Sequence, residues 1–178
     1  MTQPLRYILV GLGNMGQVWA SSTLPRLATV YACTWNLQWS EFAGDSQALI
    51  TIEMENGVRV FYEGGMVNVS SLNDFEQDYW RAECDLATLE LDQRRLRIIT
   101  GRRGRDATIQ QAALDQQPVW MNAWLAELFV DWLSGGPPLP NTLEDNIQCA
   151  ALVFAVIASA RSGQPVQVQD FLQKHLTG

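Results

Sequence analysis

Three glycines near the start of the chain have the spacing of a phosphate-binding turn. Gly11, Gly13 and Gly16 form a G-x-G-x-x-G pattern after the apolar run Tyr7–Val10 and before a helical pattern. In such a turn the first glycine allows a tight bend, the second lets a pyrophosphate approach the backbone, and the third lets the helix pack closely on the strand. Free N–H groups at the helix N-terminus favour an anion there. The candidate cofactor-binding residues are Gly11, Gly13, Asn14, Met15 and Gly16.

The sequence after this turn lacks two features of a complete dinucleotide site. The acid that binds the ribose is expected about 20 positions further on, at the end of the second strand. Here the second β-rich segment, Val30–Trp35, ends at Asn36, and the nearest acid is Glu41. A doubly wound fold also needs several further strand–helix units of about 30 residues each. The turn therefore indicates descent from a dinucleotide-binding fold more strongly than it indicates present cofactor binding.

Side chains that transfer protons near neutral pH are scarce. The chain has one histidine, His175, and one lysine, Lys174. General acid–base catalysis at a carbinol most often uses His, or a tuned Lys or Tyr. These two residues are adjacent near the end of the chain, where cations favour the C-terminal end of a helix dipole. We interpret them as the solvated last turn of a helix and assign no catalytic residue.

Arginines and aromatic residues are the remaining candidates for ligand binding. Six arginines between positions 94 and 105 form a basic run, and the guanidinium fork suits phosphate. The alternative is a solvated hairpin whose arginines pair with acids such as Glu90 and Asp92. Aromatic side chains could form a sugar-stacking surface or belong to the core. The candidate substrate or anion residues are Trp35, Tyr62, Trp80, Arg94 and Arg95.

The strands that would position these residues follow one another as hairpins. Residues 47–54 alternate apolar and polar, and Glu55-Asn56-Gly57 supplies turn chemistry before a return strand with Val58, Val60 and Tyr62. Further strands are predicted within 80–91 and at 95–100. Because helices do not alternate with these strands, the pattern predicts an antiparallel sheet.

Two helices are predicted after the strands. Apolar residues recur at helical spacing over 120–133 and end at Gly135-Gly136, and a second helix runs over 141–162 and stops at Gly163. The fold class expected is α+β, with an open, mainly antiparallel sheet and helices on one face.

Composition excludes several classes of protein. The formal charge of −7 and the pI near 4.6 argue against nucleic-acid binding. No apolar run reaches the ~20 residues that span a bilayer. The first residues run directly into a strand, which is not typical of a signal peptide. Three widely spaced cysteines, Cys33, Cys84 and Cys149, favour a reducing cytoplasm and suggest no metal site.

Several segments of the chain together carry a resemblance to a known family. They are Tyr7–Gly16, Val30–Asn36, Ala48–Val60, Trp80–Glu83 and Glu144–Val166. The chain resembles the glucose–fructose oxidoreductase / inositol dehydrogenase family, often called Gfo/Idh/MocA. The first segment is similar to the opening strand and turn of that family, and the other four are similar to its C-terminal domain.

The resemblance implies an unusual domain organisation. Residues 1–28 would be a remnant of an NAD(P)-binding Rossmann domain, and 29–178 a C-terminal substrate or oligomerisation domain. Most of the Rossmann domain would be missing, with the join between Trp19 and Thr29. The resemblance implies NAD or NADP as cofactor. However, the Glu-Lys-Pro and Asp/His-x-x-x-His motifs that carry catalysis in the family do not occur in this sequence.

Three hypotheses about function follow. The first is a relative without hydride-transfer activity of its own, which acts as an oligomerising or ligand-binding domain. An open sheet has an apolar face that something must cover, and this hypothesis predicts a homo-oligomer through that face. The candidate apolar rows are Ala48/Ile50/Ile52/Met54 and Val58/Val60/Tyr62.

The second hypothesis is a working NAD(P)-dependent oxidoreductase, completed by domain swapping or by a partner chain. The third is a module that binds sugar phosphates or other anions through the arginine hairpin and the aromatic residues. We expect a small sugar-like ligand in the latter two cases, and neither a nucleic acid nor a membrane as partner.

Overall fold

The computed structural model describes residues 6–8, 26–65, 67, 69, 79–102, 105–114, 116, 118–119, 121–139 and 143–176. The described strands and helices follow in chain order. They are β1 (Arg6–Ile8), β2 (Leu27–Trp35), β3 (Gln47–Met54), β4 (Arg59–Gly65), β5 (Tyr79–Glu83), β6 (Thr88–Asp92), β7 (Arg95–Arg102), β8 (Arg105–Ala112), α1 (Met121–Leu133), α2 (Leu143–Ser162), β9 (Val166–Gln167) and α3 (Val168–Leu176).

The strands form two sheets in which every described pairing is antiparallel. The first sheet has the order β4-β3-β2-β9, and the second has the order β1-β5-β6-β7-β8. Strand β1 is hydrogen-bonded to β5 and also lies against β4, so it connects the two sheets. The predicted α+β class with an antiparallel sheet is confirmed, and the sheet is divided in two beside β1.

The core lies on one face of the first sheet. Because strand side chains alternate between faces, Val30, Ile52 and Val60, which are directly opposite one another, form one buried row. Helices α2 and α3 pack against β2 on this face. Burying each such aliphatic side chain contributes about 1.5–3 kcal/mol. The core residues are Leu27, Val30, Ala32, Ile50, Ile52, Met54, Val58, Val60, Ala151, Leu152, Ala155 and Val168.

The apolar rows that the sequence offered for oligomerisation belong to this core. Ile50, Ile52, Met54, Val58 and Val60 are buried, and Ala48 and Tyr62 pack against them. The interpretation of these rows as an intermolecular face is wrong, because α2 and α3 of the same chain already cover them.

Side chains of α2 and α3 form hydrogen bonds with backbone groups at the edge of β2 that the short strand β9 does not reach. The Ala32 amide donates to Ser159 Oγ at 3.0 Å, and Ser159 Oγ donates to the Gln164 carbonyl at 2.7 Å. At the other end Gln169 Nε2 donates to the Leu27 carbonyl at 2.8 Å. An unpaired backbone group at this buried edge would lose a hydrogen bond to water without replacement. Helices α2 and α3 are thereby fixed to the strand as well as packed on it.

Glycine ends both long helices, as the sequence predicts. Gly135, with φ of 94°, follows α1, and the amides of Gly135 and Gly136 donate to the carbonyls of Trp132 and Asp131. This is the Schellman arrangement, which requires a left-handed residue. Gly163, with φ of 67°, ends α2 and donates to the Ser159 carbonyl at 2.8 Å.

Candidate functional site

The predicted cofactor turn, Gly11, Gly13, Asn14, Met15 and Gly16, lies outside the described residues. The strand predicted before it is present as Arg6–Ile8, paired with β5. The division of the chain into a 1–28 remnant and a 29–178 domain stays a prediction.

The five candidate ligand-binding residues lie on two different sheets. Trp35 ends β2 of the first sheet, and Tyr62 lies in β4 on the opposite, core-covered face. Trp80 lies in β5 of the second sheet, directly opposite Leu91, while Arg94 and Arg95 are at the β6–β7 turn. The structure therefore does not place all five on one surface.

The hairpin that carries the arginine run has the features of a solvated hairpin, which was the alternative to an anion site. Gln93 and Arg94 occupy a two-residue turn with φ of 46° and 62°, a conformation that costs non-glycine residues about 1–2 kcal/mol each. Both residues and Arg95 are exposed. Further along β7, Arg97 forms an ion pair with Glu90, with Nη2 and Oε2 2.9 Å apart. One arginine of the run is thus neutralised within the sheet.

The polar face of the second sheet carries a connected network. The Tyr79 hydroxyl donates to Glu90 Oε1 at 3.1 Å, so Glu90 is held by both Tyr79 and Arg97. Burial, followed by the hydrogen bond to Glu90, raises the pKa of Tyr79 above its usual value. Nearby, Thr88 Oγ1 donates to Glu83 at 2.6 Å. These pairs link β5, β6 and β7 across the polar face.

A second apolar surface on the first sheet is the feature that sequence reasoning missed. The face opposite the core, here called the open face, carries Tyr31, Cys33, Trp35, Leu49, Thr51, Phe61 and Glu63. Phe61 is 53% exposed and Leu49 is 50% exposed. A shallow groove of about 440 Å³ runs between them beside Tyr31. The signal was present in the sequence, since 31, 49 and 61 are apolar at the alternate positions of strands whose other positions are apolar too.

Cys33 and Cys84 lie close to side chains with which they interact. On the open face Cys33 Sγ and the Tyr31 hydroxyl are hydrogen-bonded at 3.3 Å. The hydrogen bond with Cys33, and then the charge of that neighbour, raise the pKa of Tyr31. Burial, with Asp85 and Glu83 nearby, raises the pKa of the Cys84 thiol, which disfavours the nucleophilic thiolate.

His175 lies in the last turn of α3, as predicted. Its Nδ1 is 2.7 Å from the Phe171 carbonyl, and the two rings are 4.2 Å apart between centroids. Among the described residues no three His, Cys, Asp or Glu side chains are grouped to hold a metal ion. No described helix is long and apolar enough to cross a membrane.

Comparison with known proteins gives the fold a context. No family model matches the chain. Protein y4oX of Sinorhizobium fredii is 36% identical in an alignment of 156 residues that covers 84% of this chain and 43% of that protein. An oxidoreductase from Agrobacterium radiobacter, solved with NAD+, L-tartaric acid and magnesium, aligns with a TM-score of 0.66 at 18% identity, over 93% of this chain and 56% of its own.

An oxidoreductase from Desulfitobacterium hafniense aligns with a TM-score of 0.74 at 12% identity, over 96% of this chain and 58% of its own. The chain has the fold of the C-terminal domain of Gfo/Idh/MocA-type oxidoreductases. This confirms the resemblance predicted from the sequence at the level of the fold. The chain spans about half the length of the proteins that it matches.

Proposed function

We propose that the chain is a sugar-type oxidoreductase relative whose sheet-and-helix domain assembles as a homo-oligomer through the open face, and that it transfers no hydride on its own. The observation that carries the proposal is the exposed apolar surface of Tyr31, Leu49 and Phe61 on a sheet whose other face is already covered. Exposed contiguous apolar patches mark interaction sites.

The composition of the open face favours a second copy as its occupant. Aromatic and aliphatic side chains lie in its middle, while the Arg59–Glu53 ion pair and Glu63 lie towards its edges. An apolar centre with a polar rim is the usual anatomy of a protein interface. In a twofold dimer the same patch serves both subunits, so one surface is sufficient.

The absence of independent hydride transfer is supported by the chemistry of the available residues. The single histidine and single lysine are neighbours in the last turn of α3, and the His175 ring packs against Phe171 in a tilted arrangement. The family's cofactor is NAD or NADP, and the residues of this chain that would receive it are the glycines of the 11–16 turn. No disulfide joins Cys33, Cys84 or Cys149, which supports a reducing, cytoplasmic location.

Analytical ultracentrifugation of the full chain tests the assembly. We expect a dimer or larger species at micromolar concentration, and we expect Leu49→Glu to shift it to monomer, because a charge would be buried in the apolar centre. Leu86→Glu is the matched control, since Leu86 is 90% exposed in the β5–β6 turn and lies away from this face. A wild-type chain that sediments as a monomer would contradict the proposed assembly.

The Cys33 thiol gives an independent readout of the same surface. It is exposed on the open face of the single chain, and self-association would cover it. Its reaction with a disulfide reagent should be slow in the associated wild type and faster in Leu49→Glu. Titration of NADH against the wild type, followed by fluorescence, completes the test, and turnover of any sugar substrate by the chain alone would overturn the catalytic part of the proposal.

A further inference from the structure

Strand β8 leaves one edge of the second sheet open in the described part of the chain. It is the last strand in the order β1-β5-β6-β7-β8, and β7 is the described element that packs extensively against it. Residues 106–111 are all exposed. An edge strand presents backbone N–H and C=O groups with which a further strand can pair. Strand β8 therefore offers a surface for the addition of another strand.

The other described sheet edges are covered or very short. Strand β1 is hydrogen-bonded to β5 and lies against β4, so it covers the edges of both. At the far end of the first sheet, β9 has two residues, and Ser159 and Gln169 form hydrogen bonds with the backbone of β2. Short and covered edges are the usual protection against pairing with another chain. Strand β8, with eight residues, lacks this protection.

Only the beginning of β8 has features that hinder pairing. Arg105 and Asp106 are charged, Asp106 has a φ of 53°, and the register between β7 and β8 shifts between Thr100 and Arg102. Charges and bulges both protect an edge strand. Residues 107–112, with the sequence Ala-Thr-Ile-Gln-Gln-Ala, contain no charge, proline or glycine. This uncharged segment is the part of the edge that is open to pairing.

We infer that the uncharged segment of β8 pairs antiparallel with the same segment of a second copy and joins two second sheets edge to edge. A pairing centred on Ile109 places this side chain, which is 61% exposed, directly opposite its copy, and places Thr108 opposite Gln110. Side chains directly opposite one another are the unit of stabilisation between such strands. A twofold axis makes one strand sufficient, since each copy supplies the same row of donors and acceptors.

The charges of the strand favour the antiparallel direction. In this pairing Asp106 lies opposite Ala112, and the two copies of Asp106 are roughly 20 Å apart at about 3.3 Å per residue. Exposed charges at that distance are largely screened, because the Debye length is about 8 Å at physiological ionic strength. An in-register parallel pairing would place Arg105 and Asp106 directly beside their own copies, where like charges are destabilising.

This inference goes beyond the proposed assembly and does not depend on it, because it uses the edge of the second sheet and not the open face of the first. The contact is small, and the pairing of two strands alone is marginally stable in water. We therefore expect edge pairing at concentrations approaching millimolar. Leu49→Glu, which we expect to be monomeric at micromolar concentration, is the background in which to measure it.

Sedimentation equilibrium of the full-length Leu49→Glu chain, from micromolar to millimolar concentration, tests edge pairing. We expect a monomer–dimer equilibrium whose Kd rises at least about tenfold when Ile109→Lys is added, because two like charges are then directly opposed. Leu86→Lys is the matched control. It adds the same charge at a side chain that is 90% exposed in the β5–β6 turn, and it should leave the Kd unchanged.

A pair of opposite charges tests the register. Ile109→Lys and Ile109→Glu chains, each in the Leu49→Glu background, should dimerise at least about tenfold more tightly when mixed than either does alone, because opposite charges then face each other. Hydrogen–deuterium exchange of Leu49→Glu should show protection within 107–112 that increases with concentration. Circular dichroism establishes that each variant is folded before its Kd is compared.

Four outcomes would overturn the inference. They are a Leu49→Glu chain that stays monomeric at millimolar concentration, a Kd that Ile109→Lys leaves unchanged, no gain on mixing the oppositely charged variants, and protection that increases outside 107–112 instead of within it. None of these results bears on the open face, whose test is the association of the wild type at micromolar concentration. The two proposals can therefore fail separately.

Discussion

The two sheets of this protein are stabilised in different ways. In the first sheet one face is covered by α2 and α3, and its aliphatic rows are buried. In the second sheet none of the described side chains is buried, and its polar contacts include cross-strand pairs such as Glu90 with Tyr79 and Arg97. The same antiparallel pairing thus supports a buried core in one sheet and partly exposed polar pairs in the other.

The difference shows that alternation along strands does not by itself make a core. Trp80, Leu89, Leu91, Leu96 and Ile98 form an apolar face on the second sheet, as regular as the face that is buried in the first. What distinguishes the first sheet is a pair of helices that return over it from residues 143–176. Buried area, rather than pattern, sets the free energy that each side chain contributes.

The largest expected effect compares one isoleucine in each sheet. Ile52→Ala in β3 should lower the free energy of unfolding by about 2–5 kcal/mol, because it removes a buried side chain and leaves a cavity. Ile98→Ala in β7 should cost less than about half as much, since Ile98 is only half-buried. Urea unfolding of both variants measures the difference, and equal costs would mean that the second sheet is covered in solution.

A smaller effect is expected from the hydrogen bond between Ser159 and the edge of β2. Ser159→Ala removes the acceptor of the Ala32 amide and should destabilise the first sheet by about 1–3 kcal/mol, because a buried N–H is left unpaired. Ser162→Ala is the matched control three residues on, where the exposed hydroxyl contacts the Ser159 carbonyl at 3.3 Å and should contribute little. Thermal unfolding should show a larger loss of stability for Ser159→Ala than for Ser162→Ala. The reverse order would exclude the Ser159 hydrogen bond as a stabilising contact.

The smallest effect concerns the hydrogen bond between Tyr79 and Glu90 in the second sheet, and it depends on pH. Tyr79→Phe removes the hydrogen bond to Glu90 and should cost about 0.5–1.5 kcal/mol at neutral pH. Folding raises the pKa of Tyr79, so its contribution is present below the unfolded value of 10.0 and is lost as the pH rises through the higher folded value. The urea midpoints of wild type and variant should therefore differ more at pH 7 than at pH 11. A difference that persists unchanged at pH 11 would contradict the role of the phenol proton.

Local signals predicted much of the fold. The alternation over 47–54 gave β3 with the bounds Gln47–Met54, and Asn56-Gly57 gave the turn, with Gly57 at φ of 84°. The glycines after α1 and α2 ended both helices as expected. The candidate site was less predictable, because Trp35 and Tyr62 are close to strand ends in the sequence but point to opposite faces of the sheet.

The sequence by itself determined most of the described elements of this protein, since strand alternation, turn residues and helix stops depend on neighbours a few positions away. Only the tertiary structure decided which of two apolar faces became the core. Residues 50, 52 and 60 and residues 31, 49 and 61 are both apolar sets on the same strands, and α2 and α3 cover only the first. That choice depends on contacts such as Ser159 with Ala32, 127 positions apart, which no local pattern encodes.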